Sequence, residues 1–200
     1  FHRRFNLQPG IRYTLADAFK LQKIDMSPKS ITVCIGWDIS AHMDSSILPI
    51  DKNGKALEPI CYFHPINTRR GDSIRTTSQT LHNIVTEDNE KIRFKLTEID
   101  KNVLYFGVAV TSGKNYPISK INGVYCRIID EESKREVMFI DPIKKEDQPG
   151  LLFGVLTCVD GVWNFWPTMT FFKGSNPDQA KSFFADYIKS GIVDQFMKQT

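Results

Sequence analysis

Short runs of β-branched and aromatic residues, each closed by residues that favour a turn, recur along most of the chain, and this pattern restricts the fold more than any other feature. The stretch 31–57, ITVCIGWDISAHMDSSILPIDKNGKAL, shows it most clearly. An apolar run from Ile31 to Ile35 meets Gly36-Trp37-Asp38 and crosses a polar loop holding Asp44-Ser45-Ser46. It becomes apolar again at Ile47-Leu48 before Asp51-Lys52-Asn53-Gly54. That order predicts strand, acidic loop, strand and tight turn. Asn53-Gly54 is the pair that a type I′ hairpin turn demands, because both central residues of that turn need positive φ. An EF-hand loop is excluded, since its glycine would stand sixth rather than fourth. Ile60 to Phe63 is the expected returning strand.

Further strands follow the same logic. Ile11 to Leu15 is a short one. Ile92 to Leu96 alternates strictly and predicts one face in the core, whereas Leu104 to Val110 is almost continuously apolar and predicts burial on both faces. Val124–Ile129 and Glu136–Ile140 flank a turn at residues 130–133. Leu151–Val159 and Val162–Phe172 are joined by Asp160-Gly161, a second hairpin signal. Residues 73–90 are polar, rich in Thr and Ser, and show no strand pattern. About nine strands spaced by turn residues predict a mainly β fold, an antiparallel β-sandwich.

The end of the chain differs in kind. Asn176-Pro177-Asp178 supplies an N-cap, a proline at the first helical position and an early carboxylate. Phe183, Phe184, Tyr187 and Ile188 lie at helical spacing, Gly191 stops the helix, and Ile192 and Phe196 predict a second short amphipathic turn. The expected organisation is a sandwich domain over residues 1–174 and a helical extension over 175–200, packed on the sandwich or on a partner protein.

The chain's 200 residues suit one well-buried core, and 41% apolar with 24% charged residues is the composition of a globular protein. A net charge of +3 with scattered basic residues favours neither nucleic acid nor anionic lipid as partner. No apolar run approaches the ~20 residues of a membrane span and no signal-peptide pattern opens the sequence, so a soluble cytoplasmic protein without direct membrane insertion is expected. Cys34, Cys61, Cys126 and Cys158 stand far apart in strand-like runs and read as buried reduced thiols. Trp37, Trp163 and Trp166 read as core aromatics, and His42, His64 and His82 as structural histidines. No nucleophile elbow, zinc-protease or phosphate-loop motif is present, so no enzymatic activity is expected.

The acidic loop holds what site chemistry there is. Carboxylates at strand ends with hydroxyls between them suit a hard cation that prefers oxygen, although calcium takes about six or more such ligands and this loop alone has few. Ile35-Gly36-Trp37 followed by His42-Met43-Asp44-Ser45-Ser46 resembles the first signature of the TerD family of tellurium-resistance and stress proteins. Later segments are similar to that family in the same order. They are Glu87-Asp88-Asn89-Glu90 leading into the alternating strand, Phe106 to Thr111, Ile121 to Ile129, and Phe153-Gly154-Val155-Leu156 with Gly161-x-Trp163-x-Phe165. The resemblance implies a β-sandwich that binds calcium between two acidic loops, and on this chain it assigns the ion to Asp38, Asp44, Glu87, Asp88 and Glu90. His42 stands where the family has the first aspartate of a pair. A histidine is a poor calcium ligand, so the departure implies that calcium binding is weakened or lost. Two functions are therefore expected of the family scaffold. One is a non-catalytic interaction module in a protein assembly, docking partners through Phe183, Phe184, Tyr187 and Phe196. The alternative is a calcium-binding stress-response regulator.

Overall fold

The computed structural model describes residues 7–15, 29–38, 42–61, 74–79, 90–142 and 145–198. Ten strands form two five-stranded antiparallel sheets. In chain order they are β1 Tyr13–Thr14, β2 Ser30–Gly36, β3 Met43–Asp51, β4 Ile74–Gln79, β5 Glu90–Lys95, β6 Val103–Ser112, β7 Tyr125–Asp130, β8 Glu136–Ile140, β9 Gly150–Val159 and β10 Val162–Phe172. One sheet has the order β1-β10-β9-β6-β3 and the other β4-β5-β2-β7-β8. Helices α1 Pro177–Lys189 and α2 Ile192–Lys198 complete the chain. The antiparallel sandwich predicted from the strand pattern is the observed fold.

The two sheets meet over a core that takes alternate residues from each strand. Ile31, Val33 and Ile35 of β2 and Ile92 and Phe94 of β5 face Phe106, Val108 and Val110 of β6 and Phe153 and Phe165 of the β9–β10 hairpin. On β5 the alternation is strict, as predicted, with Glu90, Ile92 and Phe94 buried and Lys91, Arg93 and Lys95 half-buried.

The sheet containing β6 is buried on its other face as well. There Leu48, Ile50, Ala109, Leu152, Val155, Trp166 and Phe172 pack against Ala180, Phe184, Ile188 and Val193 of the helices. This second layer explains why β6 and β9 read as nearly unbroken apolar runs, since both of their faces leave water. Phe184 is fully buried, and its ring lies over Gly107, where an added Cβ would stand 3.0 Å from the ring carbons. Phe183 stacks on Phe172 with ring centroids 4.3 Å apart, and Tyr187 lies 6.4 Å from Trp166. The aromatics of α1 that suggested a partner-docking face thus hold the helix on its own sheet; the side chain of Phe196 lies outside the described residues. Asn176 caps α1 by accepting the Gln179 N–H at 2.9 Å, Pro177 occupies the first turn, and Gly191 takes φ +79° at the end. The Tyr105 hydroxyl donates to Asp194 of α2, and burial together with that bond raises the phenol's pKa well above its ordinary value.

Several local readings change. The turn after β3 is not type I′: Gly54 has φ +79° but Asn53 does not have positive φ. Asp51 decides its form, because one carboxylate oxygen accepts the N–H groups of Asn53 and Lys55 at 2.9 Å each and its carbonyl accepts the Gly54 N–H at 3.0 Å. Within the described residues the chain returns through two isolated bridges, Ile50 with Ala56 and Ile47 with Ile60; Tyr62 and Phe63 of the expected returning strand lie outside them. The second hairpin forms as read, with Val159 paired to Val162 and both turn residues at positive φ, Asp160 at 50° and Gly161 at 78°. Residues 74–79, taken as patternless, form β4, an edge strand paired with β5. None of the four cysteines forms a disulfide; Cys34, Cys61 and Cys126 are buried as expected, whereas Cys158, near the end of β9, is exposed.

Truncating Phe184 to alanine should leave a cavity over Gly107 and lower unfolding free energy by about 3–5 kcal/mol, as read from urea melts. An unchanged midpoint would show that the helices contribute nothing to the stability of the sandwich.

Candidate functional site

The acidic loop lies at one end of the sandwich, where β2 leaves one sheet and the chain crosses to start β3 in the other. Gly36 is required at this exit because the Tyr125 ring lies across its Cα; any Cβ there would sit well inside contact distance. Trp37 is buried beneath the crossing. Both sides of the crossing are fastened to segment 113–122. The Asp38 N–H donates to the Asn122 carbonyl at 2.9 Å, and the Gly113 N–H donates to the His42 carbonyl at 3.0 Å.

Strand alternation then separates the carboxylates. Met43 and Ile47 of β3 join the core between the sheets, whereas Leu48 and Ile50 join the layer under the helices. Ser45 shares the first face, and Asp44 and Ser46 share the second. Glu90, opposite Ile35 in the β2–β5 ladder, points into the core side and is 1% exposed. Its carboxylate accepts the Ser45 hydroxyl and, at 3.3 Å, the Ser45 N–H. A buried carboxylate needs such donors, and Ser45 is therefore committed to Glu90 rather than available to an ion. Asp44, on the opposite face of β3, is half-buried. Burial raises its pKa, and the neighbouring His42 pulls it partly back down.

Of the five residues expected to hold calcium, Asp38, Asp44 and Glu90 lie within the described structure, and Glu87 and Asp88 lie outside it. The three do share one end of the fold. They do not converge: Asp38 faces a cavity beside the crossing, Asp44 lies on the helix side of β3, and Glu90 is enclosed between the sheets. Among the described residues no three of His, Cys, Asp and Glu come together as a metal-binding group.

The cavity itself was not legible. It has a volume of about 580 Å³ and is walled by Asp38 and His42 on one side and by Ser112–Lys114, Tyr116 and Lys120–Asn122 on the other. Segment 113–122 carries no periodic pattern, only the turn residues of Gly113-Lys114-Asn115 as a signal. Lys114 and Asn115 both take left-handed φ, at 56° and 57°.

Among the described residues no helix is long and apolar enough to cross a membrane. A sequence profile of the TerD domain matches residues 10–174. No curated protein matches the chain significantly. Among solved structures, the fold is similar to that of a homologue of the telluride resistance protein TerD from Streptomyces coelicolor A3(2). The TM-score is 0.65 at 13% identity, with 79% of this chain and 95% of that one covered. It is similar to a protein of unknown function as well, at TM-score 0.64 and 12% identity over 80% and 96% of the two chains. Identities this low speak to the fold, whereas the profile spans most of the sequence: the chain belongs to the TerD domain family.

Proposed function

We propose that this protein is a non-catalytic TerD-type binding module, a component of a protein assembly, on a scaffold whose calcium site is degenerate. The observation that carries the reading is the divergence of Asp38, Asp44 and Glu90 into three separate environments. A calcium ion needs about six or more oxygens at 2.3–2.6 Å, and three carboxylates facing three ways do not bring their oxygens to one ion. His42 compounds the loss by placing a nitrogen base where an oxygen ligand is expected. Contact with partners through the C-terminal extension is left to its outer side, where Phe183 and Tyr187 are half-buried and Ile192 is 44% exposed.

The competing reading, a calcium-binding regulator of a stress response, draws on family membership and on the presence of all three carboxylates at one end of the sandwich. Calorimetric titration with calcium separates the two. Ligand that binds only the folded state stabilises it by about 2.7 kcal/mol at a hundredfold excess over its Kd. The expected result is no binding heat and no change in Tm between calcium and chelator. Saturable heat with a raised Tm, both lost in Asp44→Ala, would establish the calcium-binding reading instead.

The burial of Asp44 has a consequence of its own for pH dependence. A carboxyl whose folded pKa is raised is more acidic in the unfolded chain, so its ionisation works against folding as pH rises through the folded pKa. Asp44→Asn, which cannot ionise, should therefore raise Tm near neutral pH, and the gain should fade as pH falls through the raised folded pKa and be gone below the ordinary value of 3.8. Thermal melts of both proteins across that range test it; a gain that grows at low pH would contradict the assignment.

A further inference from the structure

The cavity beside the acidic loop has a chemistry that the cation reading does not use. Lys114 and Lys120 both line it, both are exposed, and neither makes an ion pair among the described residues. Asp38, the one carboxylate among the described wall residues, is engaged in an interaction of its own, and its N–H is bonded to Asn122. Two lysines against one carboxylate leave the described lining net positive. The buried Ile121 and Tyr116, which is 48% exposed, add apolar surface to the same lining.

The wall is also built rather than casual. Two consecutive side-chain-bearing residues, Lys114 and Asn115, hold left-handed φ, a conformation that costs energy and persists only where its surroundings impose it. Those surroundings are evident. The Gly113 N–H is held by the His42 carbonyl and the Tyr116 N–H by Gly113 at 3.2 Å. The Ser112 N–H is tied to Pro149 at 2.7 Å and the Ile118 N–H to Gln148 at 2.9 Å. The Lys145 ammonium donates to the Ile121 carbonyl, and Ser119 to Asp147. A segment fixed at both ends carries both Lys114 and Lys120 in the cavity lining. The cavity's volume of about 580 Å³ falls within the ~300–1,000 Å³ of small-molecule sites.

We propose that this cavity binds a small organic anion, a carboxylate or phosphate carried on an apolar body, with Lys114 and Lys120 meeting the charge and Tyr116 and Ile121 the body. The site is independent of the calcium question, and its test is run with chelator present so that the two stand or fall separately. Phenyl phosphate, benzoate, inorganic phosphate and benzylamine would each be titrated into ¹⁵N-labelled protein and followed by amide shifts. Phenyl phosphate or benzoate should move the amides of residues 113–116 and 121–122 saturably, with inorganic phosphate at least tenfold weaker and benzylamine silent. The double variant Lys114→Gln/Lys120→Gln, altered only at exposed positions, should keep its Tm and raise the Kd at least tenfold. The proposal is overturned if neither aromatic anion shifts those amides at millimolar concentration, or if the double variant binds as before. Benzylamine binding as well as the anions would equally overturn it, since Asp38 would then govern the cavity. Inorganic phosphate binding as tightly as phenyl phosphate would remove the apolar body from the proposal.

Discussion

Burial of one sheet on both of its faces is the constraint from which most of this structure follows. β3, β6, β9 and β10 give alternate side chains to the core between the sheets and the remainder to the helices. Such a sheet has no solvated face, so its strands must be apolar at nearly every position, and a helix must be present to cover what would otherwise be exposed. Phe184 is the contact on which that cover centres. Its ring occupies the space above Gly107, and Phe183 and Tyr187 extend the packing onto Phe172 and Trp166. On β5 of the second sheet, by contrast, the outward positions are Lys91, Arg93 and Lys95, all half-buried. Two amphipathic solutions, one for each sheet, are written into the same chain.

That difference decides what could be read in advance. Strict alternation in β5 and continuous apolarity in β6 were both legible, because each follows directly from how many faces of a strand leave water. The α1 helix was legible from its cap and stop residues, which act within a few positions of one another. β4 was not: Ile74–Gln79 is an edge strand of Arg, Thr, Ser and Gln, and only its ladder with β5 makes it a strand. The turn after β3 was misread for a related reason. Asn53-Gly54 favours type I′ by itself, but the Asp51 carboxylate captures two N–H groups and imposes a different backbone. The phase of β9 was hidden too, since a register shift against β6 turns Leu156 to the same face as Leu151 and Phe153.

The site was legible only in part. Three of the five carboxylates named from the sequence lie at one end of the fold within the described residues. Where each one points depends on strand parity and on pairing between distant segments. Asp44 and Ser45 are neighbours in sequence yet face opposite sides of β3, and Glu90 meets Ser45 across a separation of 45 residues. The cavity walls come from residues 38–42 and 112–122, which only the folded topology brings together.

His42 beside Asp44 gives a pair that needs no cation between its members. Positions 42 and 44 are two apart and so project to one face as the chain enters β3. Two carboxylates there would repel each other in a partly buried setting unless a cation neutralised them, and at least one would be driven to take up a proton. With His42 in the first position the pair becomes attractive, and the structure registers this as a lowering of the Asp44 carboxyl against the larger effect of burial. Burial of Glu90 is handled in the same self-contained way, by donors from Ser45 within the chain. Among the described residues of the cavity wall, Lys114 and Lys120 make no ion pair.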